Sequence, residues 1–352
     1  MRNVVSIDWV SCTVKKISPQ EVIENILLMS VDDFSIEDWG INRYNMHYSC
    51  GDIKVFFKIK QGQPDLINMG VFVLLSGQGA QQYSEFFDSN KNNWCELFKR
   101  FMNCDANVTR VDIAHDIFNG LLCVRVLQDY IKKGLCISQA KTSRYYEDNI
   151  LETGEVIGET VEIGKKGNNN IQLCVYNKLM EQYSIGNIKK IEGIDNWVRS
   201  EMRYFGQRAN KVALRIAEHE PLKKIFFSTI AGFVRFIAPE NKHKKDSNRW
   251  RRPLVDWWKE YLENEDATKL EIVRKKPTLQ RTERWIETAV NRSLAKLMLA
   301  WTEAYGAKTA WNMLQKHLES GEEKLTDKDK AEVEQYVREQ QNKVLWGQEV
   351  ID

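Results

Sequence analysis

Three short segments carry residues that could do chemistry together. In Thr109-Arg-Val-Asp-Ile-Ala-His-Asp116 the two-residue period of a strand puts Arg110, Asp112, Ala114 and Asp116 on one side. Val111, Ile113 and His115 take the other. Two carboxylates and an arginine with only alanine between them make a poor core face, and their oxygens are hard donors of the kind that suits Mg²⁺ or Mn²⁺. In Ile171-Gln-Leu-Cys-Val-Tyr-Asn-Lys178, Tyr176 and Lys178 share a face with Gln172 and Cys174. A tyrosine there is a potential nucleophile, and a cation two residues on could lower its pKa or hold a phosphate. In Trp197-Val-Arg-Ser-Glu-Met-Arg203 the same alternation groups Arg199, Glu201 and Arg203, a carboxylate for a metal or for base catalysis between two phosphate-binding arginines. Taken singly, each segment fits a blander role: a solvated strand face, a core tyrosine, a cross-strand ion pair.

The rest of the chain narrows the setting. Its 352 residues, 43% hydrophobic and 28% charged, are enough for one large or two ordinary soluble domains. No run approaches the roughly 18 to 20 apolar residues of a membrane span, and the N-terminus runs straight into a strand pattern with no signal peptide. The seven cysteines are odd in number with no C-x-x-C pair, which argues against a disulfide framework or structural zinc and for a reducing, cytoplasmic setting. None of the five histidines forms an H-x-H pair, so a metal would need carboxylates. A net charge of +2 provides no global pull toward nucleic acid, leaving that to local patches.

The elements that must position the three segments are strands with intervening helices. Residues 7–14, 53–59 and 70–75 read as strands, the last closed by a Ser76-Gly-Gln-Gly79 turn. One helix is predicted over 82–102 and another over 121–133, stopped by Gly134. Residues 142–158 read as irregular or hairpin, and the Gly- and Asn-rich stretch 164–170 joins strands 160–163 and 171–177. From Ala209 the pattern is mainly helical. The expected fold is therefore α+β: an antiparallel sheet-based domain over 1–240, a basic, Trp-rich helical region over 241–305, and charged helices over 306–352, with Thr326 as a helix cap. In the middle region Lys242, Lys244, Lys245, Arg249, Arg251 and Arg252 surround Trp250, with Trp257, Trp258 and Tyr261 soon after. The basic loop suits phosphates, while the aromatics suit either unpaired bases or a core.

In order along the chain, these segments resemble the Rep-trans replication initiation factors, which include rolling-circle initiators of plasmids and filamentous phages and relaxases of integrative conjugative elements. Ile7-Asp8-Trp9-Val10-Ser11 resembles the opening strand and Leu75 to Gly79 the S-G-x-G turn. Thr109 to Asp116 is similar to T-R-x-D-x-A-x-D, Val175 to Lys178 with Glu181 to Y-x-K-x-x-E, and Trp197 to Glu201 to W-x-R-x-E. Ala231 to Phe236, Arg284 to Glu287 and Ser293 to Ala295 resemble later landmarks. The resemblance implies a site-specific DNA nickase with Tyr176 as nucleophile, assisted by Lys178, Arg199 and Glu201. It implies Mg²⁺ or Mn²⁺ held by Asp112, Asp116 and Glu201. DNA, as a hairpin or melted origin, would meet Arg110, Lys165, Lys166, Arg203, Lys244, Lys245, Arg251 and Arg252. A host helicase and a second copy of the chain are the protein partners this reading admits. Two residues depart from the family pattern: Cys174 stands where an arginine is common, and Glu162 lies in a strand that usually carries an aromatic. They leave open a DNA-binding regulator that has lost nicking, and a hydrolytic nuclease is a third reading.

Overall fold

The computed structural model of the chain describes residues 3–87, 92–167, 170–239, 248–263 and 291–323, with Leu325 and scattered residues from 330 to 341. It divides into two units, Met1–Leu270 and Glu271–Asp352.

The strands of the first unit are β1 (Val4–Val14), β2 (Ser35–Glu37), β3 (Met46–Cys50), β4 (Ile53–Phe57), β5 (Ile59–Lys60), β6 (Gln63–Pro64), β7 (Val71–Leu75), β8 (Asn107–Ile117), β9 (Cys136–Ser138), β10 (Ser143–Asn149), β11 (Val156–Gly164), β12 (Ile171–Asn177), β13 (Val198–Phe205) and β14 (Val234–Phe236). Ten of them make one antiparallel sheet in the order β10-β11-β12-β13-β8-β1-β7-β4-β3-β2, and the two remaining pairs form small ribbons. The helices are α1 (Pro19–Glu21), α2 (Gly77–Glu85), α3 (Trp94–Asn103), α4 (Val124–Lys132), α5 (Lys178–Ser184), α6 (Ile188–Ile191), α7 (Gln207–Ala217), α8 (Leu222–Phe233) and α9 (Asp256–Leu262). The expected sheet-based α+β fold is observed.

Alternation along the strands decides which face receives the helices. Val111 and Ile113 of β8, Leu173 and Val175 of β12, and Met202 and Tyr204 of β13 are fully or almost fully buried in one continuous core. Helices α7 and α8 pack on β8 and β13 from that side, and α4 packs on β11 and β12. The opposite face of the same strands carries the charged residues. The sheet is thus half core and half site, as an antiparallel sheet with one uncovered face allows.

Local readings differ from the structure where nonlocal contacts intervene. The single helix expected over 82–102 is two: α2 ends at Glu85, and Asn93 caps α3 by accepting the Glu96 amide proton at 3.0 Å. The glycines at 77 and 79 open α2 rather than closing a turn. A Cβ on Gly79 would lie 2.4 Å from the Asp52 carbonyl oxygen, so only glycine lets α2 approach the β3–β4 turn this closely. Residues 142–158 form the hairpin β10–β11. The boundary expected at residue 240 lies inside the first unit, because Trp258 and Tyr261 of α9 are buried against Phe227 and Phe236. Trp257 is partly buried beside them, so these aromatics are core. In the second unit, helices Asn291–Tyr305 and Ala307–Glu322 turn at Gly306, and Trp301 stacks on His317 at 5.7 Å. Thr326 lies outside the described residues, as do Arg284 to Glu287.

His115 sets an acid limit on this core. It faces the helices, with Phe226 and Phe227 edge-on and the Tyr261 hydroxyl 3.2 Å from Nδ1. Burial pushes its pKa down from 6.5 to about 4. A lowered folded-state pKa contributes stability that is present above the unfolded value and lost as pH falls through the folded one. Between pH 6.5 and 4 the fold should therefore lose about 3 kcal/mol from this residue. Asp112, raised by burial to about 6, works in the opposite direction and stabilises the fold as pH falls below that value. Because the two shifts are of similar size and opposite sign, the difference between proteins is what reports His115: from pH 7 to 4 the urea midpoint of wild type should drop relative to that of His115→Phe. An equal slope in the variant would remove His115 as the cause.

Candidate active site

Strand register brings the three chemical segments into rows across the uncovered face. Tyr176 of β12 stands opposite Arg199 of β13, and Arg199 opposite Asp116 of β8. In the next row Glu162, Cys174, Glu201 and Ala114 follow one another from β11 to β8. In the third, Gln172, Arg203, Asp112 and Trp9 cross from β12 to β1. Because side chains two residues apart share a face, these rows stack into one polar surface.

Hydrogen bonds tie it into a network. The Tyr176 hydroxyl donates to Glu201 Oε1 at 2.9 Å. Glu201 Oε2 accepts from Arg203 Nε at 2.9 Å and Nη2 at 2.7 Å. Arg203 also donates to Glu162 at 3.2 Å and Gln172 at 3.3 Å. Arg199 grips Asp116 through Nε at 2.8 Å and Nη2 at 2.7 Å, and reaches Asp8 through Nη1 at 2.7 Å. The Trp197 indole donates to Asp116 at 2.7 Å. Asp112 is held by Arg110 at 2.9 Å.

Tyr176 opens onto a cleft of about 480 Å³ that is also lined by Asp8, Gln78 and Gln81 of α2, and Glu181 of α5. Burial, and after it the negative charge of Glu201, push the phenol well above its usual pKa, against a lowering contribution from Arg199. Lys178 does not continue the strand. Asn177 caps α5 by accepting the Met180 amide proton at 3.1 Å, which makes Lys178 the first helical residue. Its ammonium ion-pairs with Glu181 and lies 5.5 Å from the Tyr176 ring centre. The lysine is thus beside the tyrosine as expected, but burial and Glu201 govern the phenol's acidity.

The structure brings Tyr176, Lys178, Arg199 and Glu201 together. It does not bring Asp112, Asp116 and Glu201 to one point. Asp112 and Asp116 are four residues apart on β8, about 13 Å along a strand, and each is bound by a guanidinium. Among the described residues no three His, Cys, Asp or Glu side chains are placed to hold one metal ion. These three carboxylates as a set do not fit a shared cation, because arginines take the positions it would need. Arg203 is likewise engaged within the network, while Lys165 and Lys166 are exposed after β11. Arg110 lies at the far end of the face. Arg251 is exposed and Arg252 half-buried next to the 3₁₀ turn Arg249–Arg251; Lys244 and Lys245 lie outside the described residues.

Sequence reasoning missed Asp8. Simple alternation puts it on the face opposite to Trp9's, but the register of β1 against β8 shifts between Ile7 and Trp9. The bulge leaves Asp8 unpaired and lets its carboxylate reach Arg199. Burial and the nearby charge of Glu201 raise its pKa. A carboxylate between Ile7 and Trp9 was the one available signal. Removing the other partner of Arg199 should be costly: Asp116→Ala leaves a largely buried guanidinium with only Asp8, and about 3 kcal/mol should be lost. Urea unfolding at pH 7 measures it, and a change below about 1 kcal/mol, the range of an exposed pair, would contradict the buried pairing.

One antiparallel sheet thus presents a tyrosine, the carboxylate its hydroxyl bonds, and two carboxylate-bound arginines on the same face. Residues 106–320 match the family described as Replication initiation factor, and residues 4–100 match the Rolling Circle replication initiation protein N-terminal domain. The chain belongs to the replication initiation factor family. It is 26% identical over 331 residues to "Putative DNA relaxase NicK" of Bacillus subtilis (strain 168), covering 94% of this chain and 89% of that protein. It is also similar to the solved structure of a rolling circle replication initiator protein from Geobacillus stearothermophilus, with a TM-score of 0.64 and 26% identity over 75% of this chain and 96% of that one. Among the described residues no helix is long and apolar enough to cross a membrane.

Proposed function

We propose that this protein nicks and rejoins one DNA strand at a specific site through a covalent phosphotyrosine on Tyr176, to initiate rolling-circle replication or conjugative transfer. The observation that carries the reading is the Tyr176–Glu201 hydrogen bond at the floor of a cleft containing Arg199. Glu201 accepts the phenol proton as the oxygen attacks phosphorus. The P–O bond to the 3′ oxygen breaks, and that oxygen leaves as a hydroxyl after taking a proton from solvent. The bond energy is kept in a 5′-phosphotyrosine that a later 3′ hydroxyl can reverse. Arg199, fixed by Asp116 and Asp8, offers positive charge to the phosphate oxygens. Arg203 holds Glu201 so that its other oxygen faces the tyrosine.

A magnesium ion needs only one or two carboxylates beside phosphate oxygens and water. Asp8 is the donor that fits, since Arg199 takes only its Oδ1, whereas Glu201 has one oxygen under the Tyr176 hydroxyl and the other under Arg203. Mg²⁺ or Mn²⁺ held there would offset charge on the phosphate. Asp8→Asn should raise the Mg²⁺ concentration for half-maximal nicking by at least about tenfold, the loss that even an outer-shell change brings. An unchanged requirement would move the ion elsewhere.

The experiment for the reading as a whole is incubation with a single-stranded oligonucleotide whose scissile 3′ leaving group cannot rejoin. A covalent adduct mapped by mass spectrometry to the peptide with Tyr176 is expected. Cleavage without an adduct would make the protein a hydrolytic nuclease. Binding without cleavage would make it a regulator.

A further inference from the structure

The uncovered face of the sheet carries a second cleft, distinct from the one at Tyr176. It has a volume of about 880 Å³ and is lined by Trp9, Lys15, Lys16, Tyr44, Arg110 and Phe205, with hydroxyl and amide side chains between them. Arg110 is its centre. Asp112 holds the guanidinium at 2.9 Å, and the group lies 4.1 Å from the Trp9 ring centre and 5.5 Å from that of Phe205. The guanidinium is thereby held over the two rings, and the three flat groups form one cluster on a rigid sheet. Trp9 and Phe205 are each only partly buried, and the Trp9 indole N–H has no hydrogen-bond partner among the described residues. Lys15 and Lys16 are exposed at the rim, with no acidic partner among the described residues; Asp105 is the one carboxylate in the lining.

We infer that this cleft binds unpaired bases of single-stranded DNA, the segment that leads to or from the phosphate at Tyr176. The inference rests on the nicking reading for its direction along the strand, but the binding it asserts does not require the chemistry. A flat aromatic and guanidinium surface accepts any base by stacking, and cations at its edge meet the backbone. A protein core has no use for two adjacent uncompensated lysines beside an open aromatic floor. The two clefts share strands: β1 contributes Asp8 to one and Trp9 to the other, and β13 contributes Arg199 and Phe205. Six residues separate Arg199 from Phe205, about 20 Å of strand. A stacked DNA strand rises about 3.4 Å per nucleotide, so the second cleft lies within roughly six nucleotides of the proposed scissile phosphate.

The test is equilibrium binding of the full chain, carrying Tyr176→Phe so that no adduct forms, to a fluorescein-labelled mixed-sequence single strand of about 20 nucleotides, longer than one such footprint. A duplex and an abasic strand of equal length are the comparison probes. Trp9→Leu should weaken binding of the base-containing strand on the order of tenfold and leave the abasic strand unaffected. Lys15→Glu with Lys16→Glu, both at exposed positions that cannot disturb the core, should weaken both single strands and flatten the salt dependence by roughly 1.4 in the slope of log affinity against log salt. Wild-type affinity in both variants would overturn the site, as would equal losses for duplex and single strand. In the chain with Tyr176 intact, loss of adduct formation with binding unchanged would count against the nicking reading alone.

Discussion

Tyr176→Phe is expected to eliminate strand cleavage and covalent adduct while leaving DNA binding within about threefold of wild type. The substitution removes one oxygen. The ring keeps its packing, and Lys178 keeps its position 5.5 Å from the ring centre. Glu201 loses the proton donor at 2.9 Å but keeps both bonds from Arg203, so the carboxylate stays charge-paired and the network stands. The fold should melt within a degree or two of wild type. The rate effect is large because no other group replaces the nucleophile: losses of about 10⁴-fold or more accompany removal of an attacking side chain. Single-turnover cleavage with gel detection of the adduct measures both. A residual adduct would point to another tyrosine, and Tyr145 and Tyr146 on β10 would be examined first.

Glu201→Gln is the second large effect, and its pH profile is more informative than its magnitude. Glutamine has one oxygen for two tasks: facing Tyr176 it still accepts from the hydroxyl but turns its NH2 toward the Arg203 N–H groups, and in neither orientation can it take the proton. General-base removal costs about 10²–10⁴ in rate. A counter-effect runs the other way, because Glu201's charge is the second cause, after burial, of the raised phenol pKa. Removing it lets Tyr176 ionise at a lower pH. The base effect dominates near neutrality, where a buried phenol remains protonated with or without that charge. In the variant the rate should therefore climb with pH through the alkaline range, since each tenfold drop in proton concentration raises the phenolate fraction tenfold. Wild type, with its proton acceptor in place, should lack that climb. Arg203 keeps Glu162 and Asp112 within 3.2 and 3.8 Å, so the guanidinium is not stranded and folding should survive. Parallel pH profiles for the two proteins would remove Glu201 from proton transfer and leave it a structural partner of Arg203.

The sequence by itself determined which residues share a face. Alternation is a local property of the backbone, so Tyr176 with Cys174, Arg199 with Glu201 and Arg203, and Asp112 with Asp116 could be grouped before any strand order was known. It also determined the order of motifs that marks the family. The tertiary structure decided how those groups meet, because strand neighbours and ion pairs join residues far apart in the chain. Arg199 reaches Asp116 and Asp8, and these pairings turn an expected metal-binding trio into an arginine network. A bulge, visible only in the pairing of β1 with β8, brought Asp8 to the site. The Asn177 cap, which competes with strand extension through one side-chain hydrogen bond, turned Lys178 into the start of a helix. Trp258 and Tyr261 became core because the far side of the sheet offered His115, Phe227 and Phe236 to pack against, apolar area that local spacing cannot reveal.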